Sequence, residues 1–277
     1  MADNTSENST PDYMMGYVED VIEILSQRTA ETDAAYLLPH LRPGMRILDV
    51  GCGPGSISVG LAAAVAPGEF HGLDMAQTQI DTATSAAQKA GLVNAQFRVG
   101  DVMALPFPDG HFDVVHCHAV LMHIPDTESA LREMNRVLKP GGILGAREPV
   151  FDSCFLEPDI GNLSKVYGIF SGVLISNGGH PQIGKELKAK LVSAGFADIE
   201  PTATVDHFSP PSGSGTSMGF EALRGGLLGA INSEPAIEQG LATTEEFGRW
   251  NKAFLTWQDD PGAFGGIVYG EVIGRKP

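Results

Sequence analysis

The stretch ILDVGCGPGSIS, residues 47–58, decides the fold. An apolar run carrying one acid, Asp49, ends in three alternating glycines, Gly51, Gly53 and Gly55, and leads into an alanine-rich segment from Ile57. This pattern predicts a strand, a tight turn and a helix whose first N–H groups and dipole can receive a negatively charged group. Glycine suits such a turn because a side chain would block a ligand's approach and resist positive φ. Counting from Gly51, the sixth residue is Ser56 rather than the last glycine of a nicotinamide-binding fingerprint. No Gly-Lys-Ser/Thr follows, which excludes a Walker-type loop.

Outward from the turn, strands are predicted at RILDV, EFHGLD, AQFRVGD, FDVVHCHAV and GGILGAREP, alternating with helices over 57–65, 77–90 and 128–138. Strict alternation implies right-handed crossovers and a parallel, doubly wound α/β sheet. Asp126 and Thr127 offer an N-cap for the third helix, and Lys139-Pro140-Gly141-Gly142 stops it. A helix over 182–194, a sixth strand over 199–208, helices over 220–231 and 244–258, and a last strand over 266–274 complete a seven-stranded plan. Residues 1–12 read as a disordered tail and 13–277 as a single domain with its core at 30–148. The segments 150–181 and 209–262 read as insertions, the second opening on a flexible linker, SPPSGSGTSMG.

Bulk chemistry narrows the function. With 18 Lys plus Arg against 34 Asp plus Glu, the net charge of -16 repels phosphate backbones and anionic lipid heads. Neither nucleic acid nor a membrane is expected as a partner, and no apolar run reaches the roughly 18 residues of a membrane span. Cys52, Cys117 and Cys154 are odd in number and scattered, which fits a reducing compartment, and the polar N-terminus lacks a secretory pattern. The expected setting is cytoplasmic and the expected partner a small molecule. Oligomeric state stays open, a homodimer included.

Two further acids share the edge of the glycine turn. Asp74 lies 23 residues past Gly51 at the end of the second predicted strand, where an acid in this architecture accepts from ribose hydroxyls. Asp101 ends the third strand, within reach of an exocyclic amine, and Asp49 offers an acceptor for an ammonium group. Together the three acids describe a nucleoside joined to an amino acid.

The motifs DVGCGPG, HGLDM, GDVMALPFPDGHFDVV and RVLKPGG, in this order, resemble class I S-adenosylmethionine-dependent methyltransferases, particularly the ubiquinone- and menaquinone-biosynthesis branch. The resemblance implies a Rossmann-like, mostly parallel sheet with an antiparallel last strand, and S-adenosyl-L-methionine as cofactor. By it, Gly51, Cys52, Gly53 and Gly55 approach the methionine moiety, with Cys52 contributing small size rather than nucleophilic chemistry. Asp74 and Met75 take the ribose, Gly100, Asp101 and Val102 the adenine, and His116, Cys117 and His118 close over the methionine end. Tyr17 or Arg28, on the N-terminal segment, completes the enclosure. After Arg147 the chain departs from the pattern: the simplest members join their last two strands almost directly, whereas 209–262 intervenes here. Substrate identity lies in such insertions, which supply a helical cap with Phe155, Phe170 and Phe264 as candidate apolar walls.

The expected chemistry is in-line methyl transfer to a small-molecule acceptor, a metabolite or natural product, in which alignment supplies most of the acceleration. His123, after the fourth strand, is the candidate base for an acceptor that begins protonated, or else caps the loop or packs against Pro125. Glu148, read as just beyond the fifth strand, binds a cationic acceptor or acts as a base, or else is a solvated loop acid. His116 and His118 share a strand face near His111 and His123, but no metal is expected because matching Cys or carboxylate spacing is lacking. The other readings are a non-catalytic S-adenosylmethionine-binding protein and an enzyme that uses this pocket for cyclisation or rearrangement.

Overall fold

The computed structural model describes residues 25–210, 214–215 and 222–277. The tail at 1–12, Tyr17 and most of the glycine- and serine-rich linker lie outside the described residues. Each predicted strand forms, and the sheet is built from β1 (Ile47–Val50), β2 (Phe70–Asp74), β3 (Ala95–Val99), β4 (Phe112–His118), β5 (Leu138–Glu157), β6 (Ala197–Ser209), the two-residue β7 (Ser214–Gly215) and β8 (Phe264–Arg275). Their spatial order is β3-β2-β1-β4-β5-β8-β6-β7. The first five run parallel, whereas β8 inserts antiparallel between β5 and β6.

Period-two alternation divides the core between the two faces of the sheet. Ile47, Val114, Ile143 and Ile273 pack on one side with Ile57, Leu61 and Val65 of α2 (Ser56–Val65) and with α1 (Ala30–Asp33). Their neighbours Leu48, Val115, Leu144 and Val272 pack on the other. There they meet Leu131 and Met134 of α4 (Thr127–Val137) and Leu187 and Leu191 of α6 (Ile183–Ser193). Between β2 and β3 runs α3 (Gln77–Lys89). The Asp126 carboxylate caps α4 as expected, accepting from Ser129 N at 3.0 Å.

Three sequence expectations need correction. Strand β5 does not end near Arg147 but runs to Glu157, because β8 continues to pair with it through Phe264. The first insertion therefore begins with strand, followed by α5 (Lys165–Ser176). The helix expected over 220–231 is broken: a π-helical turn, Ala222–Leu227, precedes α7 (Ala230–Glu238). Glycine permits the close approach at that break, where a Cβ on Gly229 would lie 2.1 Å from the Gly225 carbonyl oxygen. A capping box of Thr243 and Glu246 then opens α8 (Thr244–Trp257). The two insertions pack together: Val166 and Phe170 of α5 share a cluster with Leu223, Phe247, Trp250 and Trp257.

A buried polar knot, unforeseen in the sequence, ties these strands to the N-terminal turn. Arg147 is 1% exposed and donates to Glu271 at 3.1 Å, Asp33 at 3.4 Å and Asp206 at 2.7 Å, with its guanidinium 3.8 Å from the Tyr269 ring centre. One cation thus holds carboxylates from α1, β6 and β8 to β5, and removing it would leave them buried and unpaired.

Candidate active site

Parallel strands of an open sheet deliver their loops to one edge, and a cleft lies at the carboxyl ends of β1, β2 and β4. Its floor is the glycine turn. Gly51, Gly53 and Gly55 all adopt left-handed φ, at 67°, 52° and 81°. Their purposes differ. A Cβ on Gly51 would clash with the Val120 side chain and one on Gly55 would meet Ala83 of α3 at 2.8 Å, so packing bars a side chain at both, although Gly51 also lines the cleft. A Cβ on Gly53 would meet nothing within 4 Å, and that residue lines the cleft. Gly55 is absent from the lining because it faces α3.

Asp49 is buried, with Oδ1 2.7 Å from His116 Nδ1 and Oδ2 accepting from Ser58 Oγ at 2.6 Å. Since a carboxylate only accepts, His116 Nδ1 carries the proton and Nε2 is left without a protein partner. His118, two residues on, presents to the same cleft and stacks on Tyr269 at 5.7 Å. Burial, then Arg28 and Arg147, hold its imidazole well below its ordinary pKa, so it is neutral. Gln79 of α3 is likewise buried in the wall with Oε1 unpartnered. Cys117, between the two histidines, points to the opposite face and is part of the core. It therefore does not close over the cleft. Cys52 lines it as a thiol, because burial and then Asp49 raise its pKa well above the ordinary value.

At the end of β2 the Asp74 carboxylate accepts from Gly53 N at 3.0 Å and Ala76 N at 3.1 Å, which locks the glycine turn to the second strand. Burial raises its pKa against those bonds. Met75, Gly100 and Val102 extend this wall. Asp101 lies between the last two but is exposed and accepts from Met103 N at 2.9 Å, capping a short 3-10 turn outside the lining. From the N-terminal side Leu25 and Arg28 cover the cleft, with the Leu25 carbonyl accepting from Ser56 Oγ at 2.9 Å.

His123 stands on a 3-10 turn, Leu121–His123, and reaches the same cleft. Burial, reinforced by Arg28, lowers its pKa to about 4, so the imidazole is neutral at physiological pH. The turn is held by Glu148. Far from being a solvated loop acid, Glu148 is fully buried within β5 and accepts from the N–H groups of Val120, Leu121 and Met122 at 2.9, 2.8 and 3.2 Å. It reaches neither rim nor acceptor. Phe155 and Phe264 also depart from expectation: they pair with each other at 5.2 Å, partly exposed and away from the cleft lining. Phe170 is buried against Phe151. His111 lies at the opposite end of β4 from His116 and His118.

A family described as a methyltransferase domain matches residues 41–187. The chain belongs to that class I methyltransferase family. An uncharacterised methyltransferase of Schizosaccharomyces pombe is 41% identical to this methyltransferase domain over 152 residues, covering 53% of the chain and 55% of the relative. The chain thus spans about half the length of that curated relative. The 27-O-demethylrifamycin SV methyltransferase of Amycolatopsis mediterranei is 34% identical, over 76% of this chain and 75% of its own length. Among solved structures, the [4+2]-cyclase SpnF superposes with a TM-score of 0.53 at 25% identity, over 93% of this chain and 80% of the other. The family's cofactor is S-adenosylmethionine. The cleft suits it: open space beside Gly53, and buried His116 and Gln79 atoms that an amino-acid moiety or nucleoside can satisfy.

Proposed function

We propose that this chain transfers the methyl group of S-adenosylmethionine to a small-molecule acceptor in the cytoplasm. The observation that carries this reading is that polar atoms of His116, His118 and Gln79, all buried and without hydrogen-bond partners in the protein, belong to side chains lining one cleft floored by Gly51 and Gly53. Unpartnered buried polar atoms are costly, at about 1–3 kcal/mol each, and a ligand with several donors and acceptors relieves that cost. Gly53 lets the methionine portion approach the backbone, Asp74 takes the ribose hydroxyls with its remaining lone pairs, and His116 Nε2 addresses the amino-acid end. Val102 and Leu73 form the apolar wall for the adenine, and Asp101 contributes from the rim.

The cofactor supplies an electrophilic methyl group whose leaving sulfur departs neutral. The chain's task is therefore alignment and exclusion of water. His123, held by the turn that Glu148 anchors, hydrogen-bonds the acceptor's nucleophilic atom. With a pKa near 4 it takes up the proton only as methylation makes that atom strongly acidic. The cap supports an acceptor site next to this turn: His180 N donates to the Met122 carbonyl at 2.7 Å, and Gly179 lies against Leu174 of α5. The three free cysteines accord with a reducing compartment.

The rifamycin-type relative's name favours a hydroxyl-bearing natural product as acceptor. Likeness to the cyclase SpnF supports a second reading, in which the same cleft holds the cofactor while catalysing cyclisation. Labelled S-adenosylmethionine with a panel of phenols, quinols and macrolactam alcohols tests both. Labelled product with S-adenosylhomocysteine release is expected. Product without that release would establish the second reading instead, and absence of cofactor binding by calorimetry would remove both.

A further inference from the structure

At the amino end of the parallel strands, away from the cleft, Glu69, His71 and His111 converge. Glu69 immediately precedes β2, His71 is its second residue, and His111 immediately precedes β4. One donor atom from each lies within 4.8 Å of the others. His71 is 7% exposed, yet neither ring nitrogen has a hydrogen-bond partner, and its Nε2 stops 3.7 Å from Glu69 Oε2. A buried imidazole with both nitrogens unmet is unusual, because burying an unpaired polar group is unfavourable. Its ring is held edge-on by Phe107 at 5.5 Å and Phe112 at 5.6 Å, which restricts where those nitrogens point.

We propose that Glu69, His71 and His111 hold a divalent transition-metal ion, of which Zn²⁺ is the reference case, with water completing its shell on the exposed side. Two imidazoles and one carboxylate suit a borderline ion rather than Mg²⁺ or Ca²⁺, which prefer all-oxygen shells. Arg46 grips Glu69 with Nε to Oε2 at 2.8 Å and Nη2 to Oε1 at 3.1 Å, keeping the carboxylate ionised and oriented as an outer-shell partner does. Arg46, Arg98 and Lys139 also oppose a dication electrostatically, so inner-sphere bonds must hold it and a chelator removes it readily. Because the cluster lies at the opposite end of the strands from Gly51, Asp74 and His118, the ion fastens β2 to the loop entering β4 and takes no part in methyl transfer.

The test uses the full, untagged chain after chelator treatment, titrated with ZnCl₂ by calorimetry and with Co²⁺ by visible absorption. One equivalent should bind, with a ligand-field band for Co²⁺ and a rise in Tm that chelator reverses. His111→Gln, at a partly exposed position, and His71→Ala should each weaken binding at least about tenfold while leaving S-adenosylhomocysteine affinity unchanged. Failure of the wild-type chain to bind either ion, or binding undiminished in His111→Gln, overturns the proposal.

Discussion

Nδ1 of His116 lies 2.7 Å from Oδ1 of Asp49, and the two residues are cross-strand partners of β4 and β1 at the floor of the cleft. Asp49 is thereby committed within the protein, with Ser58 on its other oxygen, and the group it offers to a ligand is the Nε2 of the histidine it orients. Asp49→Ala should destabilise the chain by about 1–3 kcal/mol in urea unfolding, because His116 and Ser58 lose a buried acceptor. His116→Ala should weaken S-adenosylhomocysteine binding at least tenfold, about 1.4 kcal/mol. Unchanged affinity in calorimetry would show that Nε2 does not address the ligand.

The glycines of the turn should separate by phenotype. Gly55→Ala forces a Cβ within 2.8 Å of the Ala83 backbone, so its expected effect is a lowered Tm. Gly53→Ala meets no protein atom and bears only the backbone cost of φ 52°, about 1–2 kcal/mol, but projects toward the cleft. Its loss should appear in cofactor affinity beyond its loss in Tm.

Asp74→Ala removes both the tie between Gly53 and Ala76 and the proposed ribose contacts. Calorimetry with S-adenosylhomocysteine should register at least a tenfold loss, roughly 1.4 kcal/mol. Equal affinity would dismiss the ribose assignment.

Glu148 gives stability a pH dependence of unusual sign. Burial raises its pKa from 4.5 to about 7, so between those values the folded chain holds a proton that the unfolded chain has released. Stability from this group is full below pH 4.5 and is lost as pH rises through 7, by on the order of 3 kcal/mol. His123, lowered from 6.5 to about 4, gives the opposite slope, stability rising over that range. Glu148→Gln should remove the first slope alone. Urea unfolding of variant and wild type across the window checks it, and parallel pH curves would refute the assignment.

His123→Gln should lower kcat by about 10²-fold with cofactor affinity retained. Because the wild-type imidazole titrates near pH 4, the pH–rate profile should show no His123 inflection around neutrality. Turnover within about threefold of wild type would remove this side chain from the proton chemistry.

Legibility in the sequence followed locality. The turn glycines, the strand–helix alternation and the Asp126 cap depend on residues a few positions apart, and all could be read directly. The long β5 was missed because its second half is strand only through pairing with β8, more than a hundred residues later in the chain. Glu148 was misread for the same reason: its partners, the N–H groups of 120–122, are brought under it by the β4–β5 register. Cys117 shows the limit at finer scale. Period two places it opposite His116, but which face meets the cleft depends on the packing of α4 against the sheet.

By itself the sequence determined the alternating α/β plan, the sharp glycine turn and the acids at the strand ends, because backbone propensity and side-chain period act over one turn or one strand. The tertiary structure alone decided what the buried acids pair with. Strand order sets β4 beside β1 and so engages Asp49 with His116, and it sets β8 beside β5 and β6 and so surrounds Arg147 with three carboxylates. Those pairings stabilise by satisfying charge out of water, a requirement that exists only once the chain has closed over them.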